Sequence, residues 1–217
     1  MSLNRFIDHT LLKPIATKSQ IISHCQEAKQ YEFAAVCIPP IYVDLARREL
    51  GESEVNICTV IGFPFGYDHV ATKIQAISRA IDSGADELDV VINIPAVQNG
   101  NWDLIENEID SYTTATKLKR GKILKLILET AYLNREELEI LCNLCVKYNV
   151  DFAKTSTGFA PSGAKVNDVK AMKKFLGDAV QIKASGGIKT LKAANALIEA
   201  GATRLGTSSG IKLIDKK

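Results

Sequence analysis

The chain has 217 residues, of which 46% are apolar and 24% charged, in the range of ordinary soluble globular domains. A formal net charge of +2 is too small to argue for nucleic acid or a membrane surface as partner. No apolar run approaches the roughly 20 residues that a membrane-spanning helix requires, and Met1-Ser2-Leu3-Asn4-Arg5-Phe6-Ile7-Asp8 has neither a long apolar segment nor a cleavage pattern, so secretion is not expected.

Short apolar runs alternate with longer amphipathic stretches. In chain order, strands are predicted at Phe6 to Leu11, Ala34 to Ile38, Asn56 to Ile61, Glu87 to Asn93, Ile123 to Glu129, Phe152 to Thr155, Val180 to Ala184 and Arg204 to Gly206. Several are nearly continuous in Val, Ile and Leu, as expected of parallel strands buried on both faces. Helical spacing recurs between them: Val70, Ile74, Ile77 and Ile81; Trp102, Ile105, Ile109 and Tyr112; Leu191, Ala194 and Ile198. Ser83-Gly84-Ala85-Asp86 and Ala200-Gly201-Ala202-Thr203 place Gly where a helix ends before a strand, and Tyr148-Asn149-Val150-Asp151 uses Asn in the same place. This is the rhythm of repeated βα units, unbroken by any linker, low-complexity tract or charge run. Eight such units in one domain, residues 1–217, predict an α/β fold, a compact (β/α)8 TIM barrel. An open doubly wound sheet is the alternative, weakened for dinucleotide binding by the absence of G-x-G-x-x-G after the first strand.

The five cysteines, Cys25, Cys37, Cys58, Cys142 and Cys145, are odd in number and widely scattered, which fits a reducing cytoplasm better than a disulfide framework. Cys142 and Cys145 continue the helical stripe of Leu138 and Leu141, so core packing explains them better than metal binding. His9, His24 and His69 form no short metal-binding motif, and no metal is expected.

Active sites of barrels lie at the C-terminal ends of the strands, where polar residues replace the usual branched apolar filling. In Glu87-Leu88-Asp89-Val90-Val91-Ile92-Asn93 the period of two puts Leu88, Val90 and Ile92 on one face and Asp89 with Asn93 on the other. The sixth strand carries Lys154, followed by Thr155-Ser156-Thr157-Gly158, and the seventh carries Lys183 before Ala184-Ser185-Gly186-Gly187. A buried ammonium is costly unless paired or functional. An Asp89–lysine ion pair that merely fills the barrel is the bland reading, but two lysines and one acid leave an excess cation. A lysine beside another cation in a desolvated pocket loses affinity for its proton, and the free amine can then attack a carbonyl to form an iminium. Asp89 is placed to move protons in such a reaction.

Ser185-Gly186-Gly187-Ile188 and Gly206-Thr207-Ser208-Ser209-Gly210 each follow a strand and precede a helical stretch. Loops after strands 7 and 8 are the usual phosphate site of this fold, where glycine lets the backbone approach an anion. Gly206 to Gly210 also matches the G-x-S-x-G hydrolase elbow, but no His follows it, so that chemistry is dismissed. Position alone does not choose between Lys154 and Lys183 as nucleophile. The hydroxyls of Thr155, Ser156 and Thr157, able to orient a carbinolamine, lean toward Lys154.

At these residues the sequence strongly resembles the deoxyribose-phosphate aldolases, over nearly the whole chain. The resemblance is carried by Ile7-Asp8-His9-Thr10-Leu11-Leu12, Val36-Cys37-Ile38, Glu87 to Asn93 and Leu124 to Thr130. Its most specific stretches are Lys154 to Phe159, Lys183 to Ile188 and Gly201 to Ser208. It implies a (β/α)8 class I aldolase, without metal or organic cofactor. The implied reaction interconverts 2-deoxy-D-ribose 5-phosphate with glyceraldehyde 3-phosphate and acetaldehyde. By resemblance Lys154 is the Schiff-base lysine, Lys183 the lysine that perturbs it and Asp89 the proton-relay acid. Gly158, Gly186, Gly187, Gly206, Ser208 and Ser209 match phosphate-contacting positions, and Asp8, Thr10 and Cys37 match residues lining the sugar end. The expected partners are small phosphosugars and aldehydes, with a homodimer as the assembly considered. Pro95, Gln98 and Ala160-Pro161-Ser162 depart from the family pattern and are expected to alter the loops over the site. The chain ends Asp215-Lys216-Lys217 where some members carry a tyrosine that reaches the active site, so no terminal proton-transfer group is expected. The competing readings are a barrel isomerase or other lyase without an imine, and a catalytically idle barrel that only binds a phosphosugar.

Overall fold

The computed structural model describes residues 2–214. The departure noted at Asp215-Lys216-Lys217 lies outside the described residues. Strands β1 (Ile7–Thr10), β2 (Ala35–Ile38), β3 (Asn56–Ile61), β4 (Glu87–Val91), β5 (Ile123–Ile127), β6 (Phe152–Lys154), β7 (Gln181–Ser185) and β8 (Arg204–Thr207) alternate with helices. The helices are α1 (Lys18–Gln30), α2 (Val43–Leu50), α3 (Val70–Asp82), α4 (Ile94–Gln98), α5 (Trp102–Lys117), α6 (Arg135–Lys147), α7 (Val166–Leu176), α8 (Leu191–Glu199) and α9 (Gly210–Ile214). The strands pair in chain order, all parallel, and β1 pairs with β8 to close the barrel, with Asp8 opposite both Ala35 and Gly206. The open doubly wound alternative is therefore excluded.

The helix signals read from the sequence have visible physical causes. Thr17 with Gln20 and Asn134 with Glu137 form reciprocal capping boxes at the starts of α1 and α6, each cap contributing about 1 kcal/mol. Gly84, Gly201 and Asn149 leave their helices at φ of 106°, 117° and 52°, the left-handed turn that glycine and asparagine tolerate. Leu138, Leu141, Cys142 and Cys145 are all buried on one face of α6, and the cysteines are free. No helix among the described residues is long and apolar enough to cross a membrane.

Strands β4 and β5 each end two residues before their predicted ends, and both stop where functional side chains begin. β4 ends at Val91 because Asn93 turns into the N-cap of α4, its side chain accepting from the Ala96 N–H. Pro95, one of the departures from the family pattern, falls in the first turn of that helix, where proline's missing N–H is not needed. β5 ends at Ile127 because Glu129 takes a left-handed backbone with φ of 54°. The end of β4 is held from outside by a buried ion pair: Lys73 donates to Val91 O at 2.9 Å and to Glu108 at 3.1 Å, while Glu108 accepts the Asn93 N–H at 3.0 Å. Apolar residues of the strands' outward faces, such as Leu88 and Val90, pack with the helices in one continuous core.

Candidate active site

Side chains pointing into the barrel build an ionic cluster larger than the pair of lysines and single acid read from the sequence. Asp89, fully buried on β4, accepts from three lysines. Its Oδ2 lies 2.7 Å from Lys154 Nζ and 2.7 Å from Lys183 Nζ, and its Oδ1 2.9 Å from Lys125 Nζ. Lys183 also reaches Asp8 at 2.5 Å, and Lys125 reaches Glu87 at 2.5 Å. Arg204, at the start of β8, bridges Asp8 at 2.7 Å and Glu87 at 3.0 Å. The cluster thus holds four cations, Lys125, Lys154, Lys183 and Arg204, against three carboxylates, Asp8, Glu87 and Asp89. Cationic side chains outnumber carboxylates by one, with Lys125, Arg204, Asp8 and Glu87 joined to Lys154, Lys183 and Asp89.

Burial works to discharge every member of this cluster, and the charges around each decide the outcome. Burial favours a neutral Lys183, but the carboxylates of Asp8 and Asp89 outweigh it and hold the lysine well above the ordinary range, as an ammonium. Lys125 and Arg204 are likewise raised against burial, chiefly by Asp89 and by Asp8 respectively. Asp89 is held well below the carboxylate range, since Lys125, Lys154 and Lys183 together outweigh its burial. Asp8 is lowered too, with Arg204 and Lys183 overcoming desolvation.

Above the cluster opens a cleft of about 360 Å³, and Lys154 is the cluster member on its wall. Thr10, Gly158, Gly186, Gly187, Gly206 and Ser208 line the same cleft. The glycines have steric reasons to be there. A Cβ on Gly206 would come within 2.9 Å of Ser185 Cβ and 3.2 Å of Lys183 Cε, and one on Gly163 would meet Gly186 O at 2.2 Å. Gly158, Gly186 and Gly187 have φ of 87°, 89° and 78°. Ser209 stands beside the cleft, its N–H donated to Thr207 Oγ1 at 3.0 Å. Asp8 and Cys37 lie fully buried below the cleft wall rather than on it, Asp8 serving as the partner of Lys183 and Arg204.

Of the three hydroxyls after Lys154, Thr157 faces the cleft. Thr155 and Ser156 are buried in a network that ties β6 to β7: Ser156 Oγ donates to Thr155 Oγ1, and Thr155 Oγ1 donates to Ser185 O. Sequence reasoning passed over Lys125, Glu87 and Arg204, although a lysine inside the apolar run Leu124 to Leu128 carries the same signal as Lys154. It also passed over Lys13 and Lys189, which add two positive charges to the wall that holds Gly186, Gly187 and Ser208.

Cys37, Cys58 and Asp89, and Asp8, Cys58 and Glu87, bring possible metal-ligating atoms together. The carboxylates of both groups are already engaged by Lys125, Lys183 or Arg204. A third group, His9, His24 and Glu27, joins β1 to α1. There the imidazoles stack with centroids 3.7 Å apart and planes 15° from parallel, which keeps both rings from aiming in-plane at one ion.

A closed parallel barrel with a lysine at the C-terminal mouth, beside a second lysine held charged, defines a class of enzyme that works on carbonyl compounds. The model of the DeoC/LacD family aldolases matches residues 5–216, and the chain belongs to that family: it is an aldolase, a carbon–carbon lyase. It is 47% identical over 216 residues to the deoxyribose-phosphate aldolase of Thermoanaerobacter sp. (strain X514), spanning 100% of this chain and 97% of the relative. The fold superposes on QR15, an aldolase, with a TM-score of 0.93 at 36% identity, covering 99% of this chain and 95% of the other. It superposes on the tetrameric deoxyribose phosphate aldolase of Aeropyrum pernix with a TM-score of 0.90 at 29% identity, covering 98% and 89%.

Proposed function

We propose that the chain interconverts 2-deoxy-D-ribose 5-phosphate with glyceraldehyde 3-phosphate and acetaldehyde, with Lys154 as the covalent nucleophile. The observation that carries this reading is the shared oxygen: Lys154 and Lys183 both donate to Asp89 Oδ2 at 2.7 Å. Lys183, Lys125 and Arg204 are all held charged, three cations against the three carboxylates, and Lys154 is the cluster amine that opens on the cleft. The neutral amine attacks the C1 aldehyde of the open-chain sugar. Proton transfer and loss of water give the iminium, an electron sink for the C2–C3 bond. Lys183, the adjacent ammonium, and Asp89, the carboxylate that links the two lysine nitrogens, form a continuous path for protons at the imine end. Scission leaves an enamine on Lys154 and releases glyceraldehyde 3-phosphate. Protonation and hydrolysis release acetaldehyde.

The other end of the cleft fits the 5-phosphate. Gly186, Gly187 and Ser208 present backbone to it, and Lys13 and Lys189 supply charge from the rim. The isomerase and idle-binder alternatives would use this end but leave Lys154 without a task. No step draws on a metal or organic cofactor, and the buried free cysteines suit a cytoplasmic setting. The test is release of acetaldehyde from deoxyribose 5-phosphate, paired with borohydride reduction in the presence of acetaldehyde and peptide mapping. A two-carbon adduct on the Lys154 peptide is expected. An adduct on the Lys183 peptide, or trapping that persists in Lys154→Ala, overturns the assignment.

A further inference from the structure

Three lysines meet at Asp89, and the surroundings of one of them leave it no covalent part. Lys125, on β5, is fully buried and off the wall of the cleft. An ammonium carries three protons and no lone pair. Three acceptors stand around the Lys125 nitrogen: Glu87 Oε2 at 2.5 Å, Asp89 Oδ1 at 2.9 Å and Cys58 Sγ at 3.3 Å. Lys154, by contrast, has Asp89 as its ion-pair partner and opens on the cleft. The hold on Lys125 continues away from the cleft. Glu87 also takes Arg204 at 3.0 Å and the Asn56 side-chain amide at 2.8 Å. Lys125 is thereby tethered to the N-terminal ends of β3, β4 and β8.

From the side of Asp89 the contacts divide its two oxygens. An ionised carboxylate offers about four lone-pair sites. Oδ2 has Lys154 and Lys183, each at 2.7 Å. Oδ1 has Lys125 and the Cys58 thiol, which donates to it at 3.1 Å. Cys58 is fully buried and off the cleft wall as well. Its burial, the neighbouring Cys37 and the Asp89 charge hold the thiol well above its ordinary range, so it keeps its proton. The Cβ–Cγ torsion of an aspartate is intrinsically broad, so its orientation is set by what its oxygens touch.

We propose that Lys125, with the Cys58 thiol beside it, is a positioning residue that clamps Asp89 Oδ1, so that Oδ2 alone faces Lys154 and Lys183 and carries the protons of the reaction; the proposal rests on the imine reading above. A proton taken up by Asp89 binds Oδ2 and leaves from the same oxygen. Lys125 and Cys58 begin and end each cycle with the protons they hold. When Lys154 turns from ammonium to iminium, its hold on Oδ2 is given up, and the clamp on Oδ1 keeps the carboxylate from turning away. Without the clamp the carboxylate rotates about Cβ–Cγ, and Oδ1 competes with Oδ2 for the reacting lysines.

Two sets of variants test the clamp. Lys125→Met removes the clamp together with a charge. Lys125→Met combined with Glu87→Gln removes the clamp but leaves the net charge of the cluster as it was, and so avoids the uncompensated Glu87 that could unfold the single variant. A hydrogen bond to a charged group corresponds to about 10–100-fold in an equilibrium or a rate. Both proteins should lose roughly that in kcat for cleavage of deoxyribose 5-phosphate, with KM little changed because Lys125 is off the cleft wall. Borohydride trapping of acetaldehyde separates position from charge. Its half-maximal pH should move upward in Lys125→Met, where a neighbouring cation is gone. It should return toward the wild-type value in the double variant, while cleavage stays slow. Cys58→Ala keeps every charge and should lower kcat by about 2–10-fold with an unmoved trapping profile. Cys58→Ser, which keeps a donor and an acceptor, should recover it. Wild-type kcat in the double variant, or a loss that appears in KM instead of kcat, overturns the clamp. Should the double variant not fold, wild-type kcat in Cys58→Ala overturns it. Absence of trapping in the wild-type enzyme removes the imine reading itself, and the clamp with it.

Discussion

Replacing Lys183 by leucine takes away a permanent positive charge beside Lys154 without touching the nucleophile. Both ammonium nitrogens lie 2.7 Å from one oxygen, so they are at most twice that, about 5.4 Å, apart. Two unit charges at that separation repel by about 3 kcal/mol at an effective dielectric constant of 20. That corresponds to about two pH units. The charge balance gives the same direction: four cationic side chains face three carboxylates in the wild type, and three face three in Lys183→Leu. Borohydride trapping of acetaldehyde, followed by mass spectrometry across pH 6 to 10, should show the half-maximal pH of the variant moved upward, by about two units, with partial recovery at the alkaline end. The variant also leaves Asp8 with Arg204 as its close partner, so a melting curve should accompany it; breaking a buried ion pair typically costs about 3–5 kcal/mol. A folded Lys183→Leu protein with an unshifted trapping profile would refute the role of Lys183 as the perturbing charge.

Turnover should survive EDTA, because the carboxylates near the possible ligand groups in the barrel are bound to lysine and arginine; loss of activity that a divalent metal restores would point to metal-dependent aldol chemistry. Lys189→Ala and Lys13→Ala should each raise KM for deoxyribose 5-phosphate while leaving kcat/KM for unphosphorylated deoxyribose unchanged, with each charged hydrogen bond contributing about 1.5–3 kcal/mol; equal effects on both sugars would remove the phosphate end from that wall. Stability should fall as pH drops from about 6.5 toward 3, because burial and the neighbouring His9 hold His24 down to about 3, and burial lowers His9 as well. The unfolded chain binds a proton on the His24 imidazole in that window and the folded chain does not, and the lowered His9 acts in the same direction, so unfolding is favoured at lower pH. Between pH 6.5 and 5 the loss from His24 alone is at most roughly 2 kcal/mol, and urea titrations at the two pH values should show a smaller difference in His24→Leu. The contributions of Asp8 and Asp89 are lost only below the ordinary carboxylate range, so an unchanged difference in the His24 variant would deny the imidazole origin.

The barrel was legible in the sequence because its signals are local. Buried parallel strands write themselves as runs of Val, Ile and Leu, and their helices as apolar stripes that end in Gly84, Asn149 or Gly201. The reactive lysines and the glycine loops were legible for a related reason: a charge inside an apolar run, or Gly-Gly after a strand, is anomalous unless something requires it. What stayed hidden depends on distance across the barrel. Asp8, Glu87 and Asp89 come from two strands, and their partners Lys125, Lys154, Lys183 and Arg204 from four others, so the charge balance exists only once β1 closes against β8. The same closure puts Asp8 and Cys37 beneath the cleft instead of on its wall, and brings Lys13 from the first loop to face Lys189 from the seventh. Glu129 reads as the end of a strand in the linear pattern. Only its left-handed backbone and the loop after β6, packed against it, turn its carboxyl toward Thr157, because hydrogen-bond direction is set by which atoms meet in space.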